Sequence, residues 1–263
     1  MQLKGLIITK RAEEWLQKSH SMRILHLFDN SCNLVNAQDE VLSLVTAVIG
    51  SGPFSIVVDD FNRYLFNLHM PITINNRDQK LLIGNIEVDF SQAARWQSQP
   101  DWKQLRSLQL CKLPAPQMLS SEIEVYLTNL CTGIETADSS KIRDSVFHLA
   151  GRGSGLTPTG DDILMGVIYG LWVWRPDVEL IRLICDTAVT RTTTLSAAFL
   201  KAAANGEATI HWHDFVNAKP NAIQNILNIG HTSGTDTLAG FTHICQTLIR
   251  LYNNQNSCDL CSS

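Results

Sequence analysis

No stretch of this sequence is apolar for the roughly 20 residues that a membrane-spanning helix needs. The longest apolar run, ILMGVIYGLWVW from Ile163 to Trp174, has twelve residues and is sized for a buried core helix. Positive charge is not in excess either. Lys and Arg number 21 against 25 Asp and Glu, for a formal net charge of −4. That balance excludes a nucleic-acid binder relying on bulk cationic attraction. MQLKGLIITKRAEEW, at the N-terminus, has no long apolar core and no small-residue cleavage site. No signal peptide is therefore expected, and the expected location is the cytoplasm. The seven cysteines are odd in number and scattered, several of them (Cys185 and Cys245) inside apolar segments. Such usage fits reduced thiols, not a disulfide framework. Cys258 and Cys261, in CDLC, lack the second ligand pair or βαβ setting that zinc or redox chemistry requires, and read as a frayed tail. Also missing are a G-x-S-x-G elbow, a G-x-x-x-x-G-K-[ST] loop and an H-E-x-x-H pair.

What is present divides in two. MRILHLF, PFSIVVDD, RYLFNLHM and KLLIGNIEVDF are short apolar or alternating runs separated by turn residues, the pattern of strands. SQAARWQ, with Ser91 as cap, predicts the start of a helix. Two prolines in LPAPQ (113 to 117) mark a boundary, and the pattern beyond them is helical. SSEIEVYLTNLCTGI, 139–150, 177–204, AIQNILNIG and TDTLAGFTHICQTLIRLY each carry helical spacing. The expected fold is α+β: a strand-rich half over residues 1–113, as a small antiparallel sheet or barrel, then an all-helical half over 114–263.

The helical half contains an internal echo. TPTGDDILMG (157–166) and HTSGTDTLAG (231–240) share [T/S]-G-x-D-x-L-x-G without a gap, and each opens an apolar helix. Thr159 and Ser233 stand where N-caps belong, with Asp162 and Asp236 three residues later, the spacing of a capping box. Gly160 and Gly234 leave the backbone approachable, and Gly166, Gly170 and Gly240 would let two helices come close. If the helix starts converge, two amide-rich N-termini face one site suited to phosphate or carboxylate. Arg152, Gly153, Ser154, Gly155, Thr157, Thr159 and Gly160 from the first loop, with Thr232, Ser233 and Gly234 from the second, are then candidate binding residues. Asp161, Asp162, Asp236 and His231 are candidate acid–base groups, able to accept from a substrate amide or to hold a divalent cation such as magnesium. Capped helices packed through glycines explain most of these residues without a ligand; Asp161 is the one they explain least.

Weaker candidates surround this core. Arg191, three threonines, Ser196 and Lys201 in RTTTLSAAFLK could line an anion site, although a polar helix junction accounts for them. His211, His213 and Asp214 in IHWHD lack a partner to complete a zinc set. GRGSGL follows a helix instead of a strand, which rules out a dinucleotide fingerprint.

The stretches G-x-G-x-G-L-T-P-[ST]-x-D-D and G-H-[ST]-S-G-x-D-x-L-x-G, here Gly151 to Asp162 and Gly230 to Gly240, resemble the hallmark segments of a bacterial family that includes the AllH-type subunit of oxamate carbamoyltransferase. The likeness extends more weakly to GPFSIVV and IEVDFSQAARW in the strand-rich half. It implies carbamoyl transfer in anaerobic allantoin degradation: oxalurate and phosphate give oxamate and carbamoyl phosphate. It also implies two further subunits, one similar to acyl-CoA synthetases. From the residues themselves, no cofactor beyond a divalent cation is expected, and no nucleic acid or membrane partner. Two other roles stay open: a non-catalytic assembly subunit, and a metal-dependent hydrolase using Asp161, Asp162, Asp236 and His231.

Overall fold

The computed structural model describes residues 1–75, 78–107 and 119–259, without the side chains of 65, 107 and 253–259. These residues form two compact units, Met1–Pro100 with Glu207–Ile210, and Asp101–Gly206 with His211 onward. The boundary expected at 113/114 lies outside the described residues.

The first unit is built on strands β1 (Gln2–Thr9), β2 (Met22–Leu27), β3 (Ser31–Asn36), β4 (Val41–Thr46), β5 (Ser55–Val58), β6 (Ile72–Asn75), β7 (Lys80–Ile83), β8 (Ile86–Asp89) and β9 (Ala94–Trp96). Their order is β2-β3-β4-β5-β1-β8-β7-β6, with β9 also on β1. The end strands β2 and β6 touch, so the sheet nearly closes into a barrel. It is mixed, not wholly antiparallel: β1 runs parallel to β8 and β9, and β4 runs parallel to β5. Helix α1 (Lys10–Lys18) starts where the Thr9 hydroxyl accepts from the Ala12 amide at 3.2 Å. It lays Ala12, Trp15 and Leu16 into a core with Leu34, Leu44, Ile56, Leu81 and Val88.

Two local expectations fail here. RYLFNLHM is not a strand: a 3-10 turn covers Arg63–Leu65, with the Asn62 side chain accepting from the Tyr64 amide. SQAARWQ is not a helix start. The Ser91 amide donates to Asp89 Oδ1 at 2.9 Å, and residues 94–96 pair with β1, because an open sheet edge outweighs weak local helix preference. Glu207 fastens its short segment into the first unit, accepting from Arg11 Nε at 2.9 Å and from the Ser98 hydroxyl at 2.9 Å.

The second unit holds helices α2 (Ser121–Thr136), α3 (Ser139–Leu149), α4 (Thr159–Trp174), α5 (Val178–Val189), α6 (Thr194–Ala204), α7 (Ile210–Val216), α8 (Ala222–Leu227) and α9 (Ser233–Asp259). Nearly every residue of α4 is buried, and α9 packs along it. The approach is closer than any side chain allows. A Cβ at Gly166 would sit 1.9 Å from the Thr237 carbonyl oxygen, and one at Gly240 would sit 2.1 Å from that of Ile163. Trp102, Tyr169, Trp212 and Phe241 fill the neighbouring core, with the Trp102 and Tyr169 rings stacked at 4.8 Å. No helix among the described residues is long and apolar enough to cross a membrane.

Candidate functional site at the paired helix starts

The two echoing loops meet. Thr157 Oγ1 from the α3–α4 loop lies 2.7 Å from Ser233 Oγ at the start of α9. The relation between the halves is close to two-fold. Gly166 presses on Thr237 and Gly240 on Ile163, while Gly160 backs onto the Leu149 carbonyl and Gly234 onto that of Ile226.

The capping boxes expected at Thr159 and Ser233 do not form as spaced. The Asp162 amide donates to the Pro158 carbonyl and the Asp236 amide to that of Thr232, so both helices start one residue earlier than expected. Pro158 supplies no side-chain cap. Thr159 and Ser233 therefore fall inside the first turn, and each carboxyl has one hydroxyl neighbour from the opposite helix and one from its own loop: Ser233 and Thr157 beside Asp162, Thr159 and Thr232 beside Asp236. A spacing of three residues cannot distinguish acceptance within one helix from acceptance across a dyad.

The three aspartates differ. Asp161 is fully engaged: Oδ1 accepts from the Gly151 amide at 2.9 Å, and Oδ2 from the Ser196 hydroxyl at 2.9 Å and the Thr192 hydroxyl. It ties the first loop to the start of α6. Asp162 and Asp236 are buried, 3% and 7% exposed, and each has an Oδ2 without a hydrogen-bond partner. Burial pushes the Asp162 carboxyl up to about 8, and the charges of Asp236 and Asp161 add to the rise. Burial also raises Asp161 and Asp236, against the pull of their hydroxyl neighbours.

The other candidates spread around this centre. Gly153, Ser154 and Gly155 are exposed on the loop, and a Cβ at Gly155 would meet nothing within 4 Å. Gly151 and Gly153 have φ of 71° and 118°, so the loop's path demands glycine. His231 and Thr232 are exposed at the mouth of the second loop. Arg152 turns away toward α2: Nη1 lies 2.6 Å from Glu122 Oε2, Nε donates to the His148 carbonyl, and the guanidinium covers Tyr126. Of the RTTTLS segment, Thr192 and Ser196 hold Asp161, while Thr193 caps α6 and donates to the Leu156 carbonyl at 2.5 Å. The polarity of that segment was visible in sequence; its target was not. Arg191 stacks on Phe147 at 3.5 Å. His211 and His213 lie on α7. Among the described residues, no three His, Cys, Asp or Glu side chains are grouped as metal ligands.

Two family models match the chain. The one described as the AllH family N-terminal domain covers residues 4–95, and the one described as oxamate carbamoyltransferase subunit AllH covers residues 149–245. The second match contains both loops and the facing stretches of α4 and α9. No solved structure matches the chain.

Proposed function

Because the chain belongs to the AllH family and is thus an oxamate carbamoyltransferase subunit, we propose that its paired helix starts take part in carbamoyl transfer between oxalurate and phosphate. In that reaction a phosphate oxygen attacks the terminal carbamoyl carbon. The bond from that carbon to the inner nitrogen breaks, and the nitrogen leaves as the amide of oxamate with the proton that hydrogen phosphate carried. The products are oxamate and carbamoyl phosphate. Every participant is a small anion bearing amide or phosphoryl groups. The chain's part is positioning and charge stabilisation, which supply much of the acceleration when no covalent intermediate is needed.

The observation that carries this reading is the pair of buried, partnerless carboxyl oxygens, Asp162 Oδ2 and Asp236 Oδ2, at the junction of the two motif helices. Interiors rarely leave such atoms unmet, and unmet groups concentrate at functional sites. Asp162 keeps its proton at neutral pH, so the pair repels an incoming anion less than two carboxylates would. The helix dipoles and the exposed Gly153–Gly155 stretch add attraction for negative charge. The setting we propose is anaerobic allantoin degradation in the cytoplasm, with two partner subunits, one resembling acyl-CoA synthetases.

A second reading, a non-catalytic assembly subunit, is favoured by the internal work of the motif: Asp161 is fully bonded within the chain, and the glycines serve close packing. One experiment separates the two. Phosphate-dependent cleavage of oxalurate is followed as carbamoyl phosphate with the full subunit set, using wild type and Asp162→Asn. A loss of turnover of about 100-fold or more in an intact complex, the scale of an electrostatic contact to the reacting groups, supports the first reading. Unchanged turnover leaves the second.

A further inference from the structure

Around the helix starts, most polar atoms are satisfied inside the chain. Both Asp161 oxygens are taken, Thr157 and Ser233 meet each other, and the Thr237 hydroxyl donates to the Ser233 carbonyl. The exceptions are Asp162 Oδ2 and Asp236 Oδ2. They occupy equivalent positions on α4 and α9, each beside a hydroxyl from the other helix. With the Asp162 proton on Oδ1, toward the hydroxyls of Thr157 and Ser233, both Oδ2 atoms are acceptors. The missing partner is then a donor, and its nature is constrained. A metal ion would need further ligands that the described residues do not group there, and it would face the positive ends of two helix dipoles. Hydrogen phosphate has one hydrogen to give, enough for one of the two oxygens, and its remaining oxygens would face the other acceptor. The group that fits is neutral, with two N–H donors on one atom and a carbonyl oxygen opposite, which the helix starts favour. That is a primary amide.

We propose that Asp162 and Asp236 together receive the –NH2 of the substrate's terminal carbamoyl group, one N–H to each Oδ2, with its carbonyl oxygen toward the starts of α4 and α9. The carbamoyl-transfer reading supplies the identity of the group; the requirement for paired donors comes from the two oxygens themselves. Both oxygens are covered, so the group enters when the Thr157–Ser233 contact parts. The acids are selectivity elements in this arrangement. They admit –CO–NH2 and reject groups of the same size that lack N–H, as sites built around a substrate's hydrogen bonds do.

The test compares carbamoyl phosphate with acetyl phosphate, which replaces –NH2 by –CH3 at equal charge, as ligands for the complete subunit assembly by calorimetry. Carbamoyl phosphate should bind at least tenfold more tightly. Substituting both acids (Asp162→Leu with Asp236→Leu), which removes the acceptors while keeping their volume, should bring the ratio to within about threefold. Equal binding of the two ligands by wild type overturns the proposal, and so does a ratio that survives the double substitution. Should the variant fail to assemble, wild type alone decides. The two amide protons of ¹⁵N-carbamoyl phosphate should separate and move downfield on binding, and unshifted protons overturn the proposal. Oxalurate cleavage is measured in parallel. An acid-dependent carbamoyl preference without cleavage sustains this inference and removes the proposed reaction; cleavage without the preference does the reverse.

Discussion

The two loop-and-helix halves of the second unit share a frame but not a set of attachments. Corresponding residues make corresponding contacts: Gly160 and Gly234 each against the preceding helix of their own half, and Asp162 and Asp236, and Gly166 and Gly240, against the opposite helix. The halves part at Asp161, where the second half has Thr235, and at Gly153–Gly155, an exposed excursion that the second loop does without. Paired positions thus build the helix contact and the acid pair. Unpaired ones fasten a single loop to α6 while leaving its tip in solvent. The repeated positions account for the frame, and departure from them marks where one half does a job the other does not.

The symmetric part is broken most severely by a methyl group. Gly166→Ala puts a carbon where the Thr237 carbonyl stands, and Gly240→Ala does the same against Ile163. Each should cost about 3 kcal/mol or more and lower Tm by about 10 °C, by equal amounts if the dyad holds. Thermal unfolding measures both, and a gap wider than a few degrees would show that one contact gives way more easily. The asymmetric part is probed by Asp161→Ala against Thr235→Ala. The first strands the Gly151 amide and two hydroxyls and should cost about 2 kcal/mol. The second should stay within about 0.5 kcal/mol. Denaturant titration of the pair reads the difference, and equal losses would remove the fastening role of Asp161.

The smallest effect is on pH. Asp162 is held well above its ordinary value of 3.8, up to about 8, so the native state keeps a proton that the unfolded chain releases. Stability therefore falls as pH rises across that interval and levels off once Asp162 ionises. The elevations of Asp161 and Asp236 act in the same direction, whereas His26, held below 6.5, is already neutral above that pH. Between pH 7 and 8.5 the loss should be about 1 kcal/mol, or about 3 °C. Asp162→Asn should flatten most of it. A melting profile as steep in the variant as in wild type would place the burial cost elsewhere.

How far the sequence could be read depended on how local each cause was. Helices α2 to α6, α8 and α9 follow from apolar spacing and from caps such as Ser120, Asp177 and Thr193. The KLLIGNIEVDF hairpin follows from alternation around Gly84, whose φ is 59°. RYLFNLHM is misread for a local reason, the Asn62 cap that turns the chain at Arg63–Leu65; other features answer to distant partners. Ala94–Trp96 is a strand only because β1 offers an edge, and β4 pairs parallel with β5 through contacts no turn residue announces. At the site, the repeat of glycines and aspartates was plain in the chain. Two things were not: that the hydroxyls cross to the opposite helix, and that Asp161, the aspartate least explained by sequence, is the one whose bonds are all made. Both depend on where α6 and α9 come to rest.

The covered position of Asp162 Oδ2 and Asp236 Oδ2 has a consequence for rates. In the arrangement proposed above, any group that reaches them waits for the Thr157 and Ser233 hydroxyls to separate. In rapid mixing, the observed association rate should then climb with ligand concentration only to a ceiling, the opening frequency of that contact. Thr157→Val, which removes one hydroxyl of the latch and so destabilises the closed state, should raise both the ceiling and the initial slope.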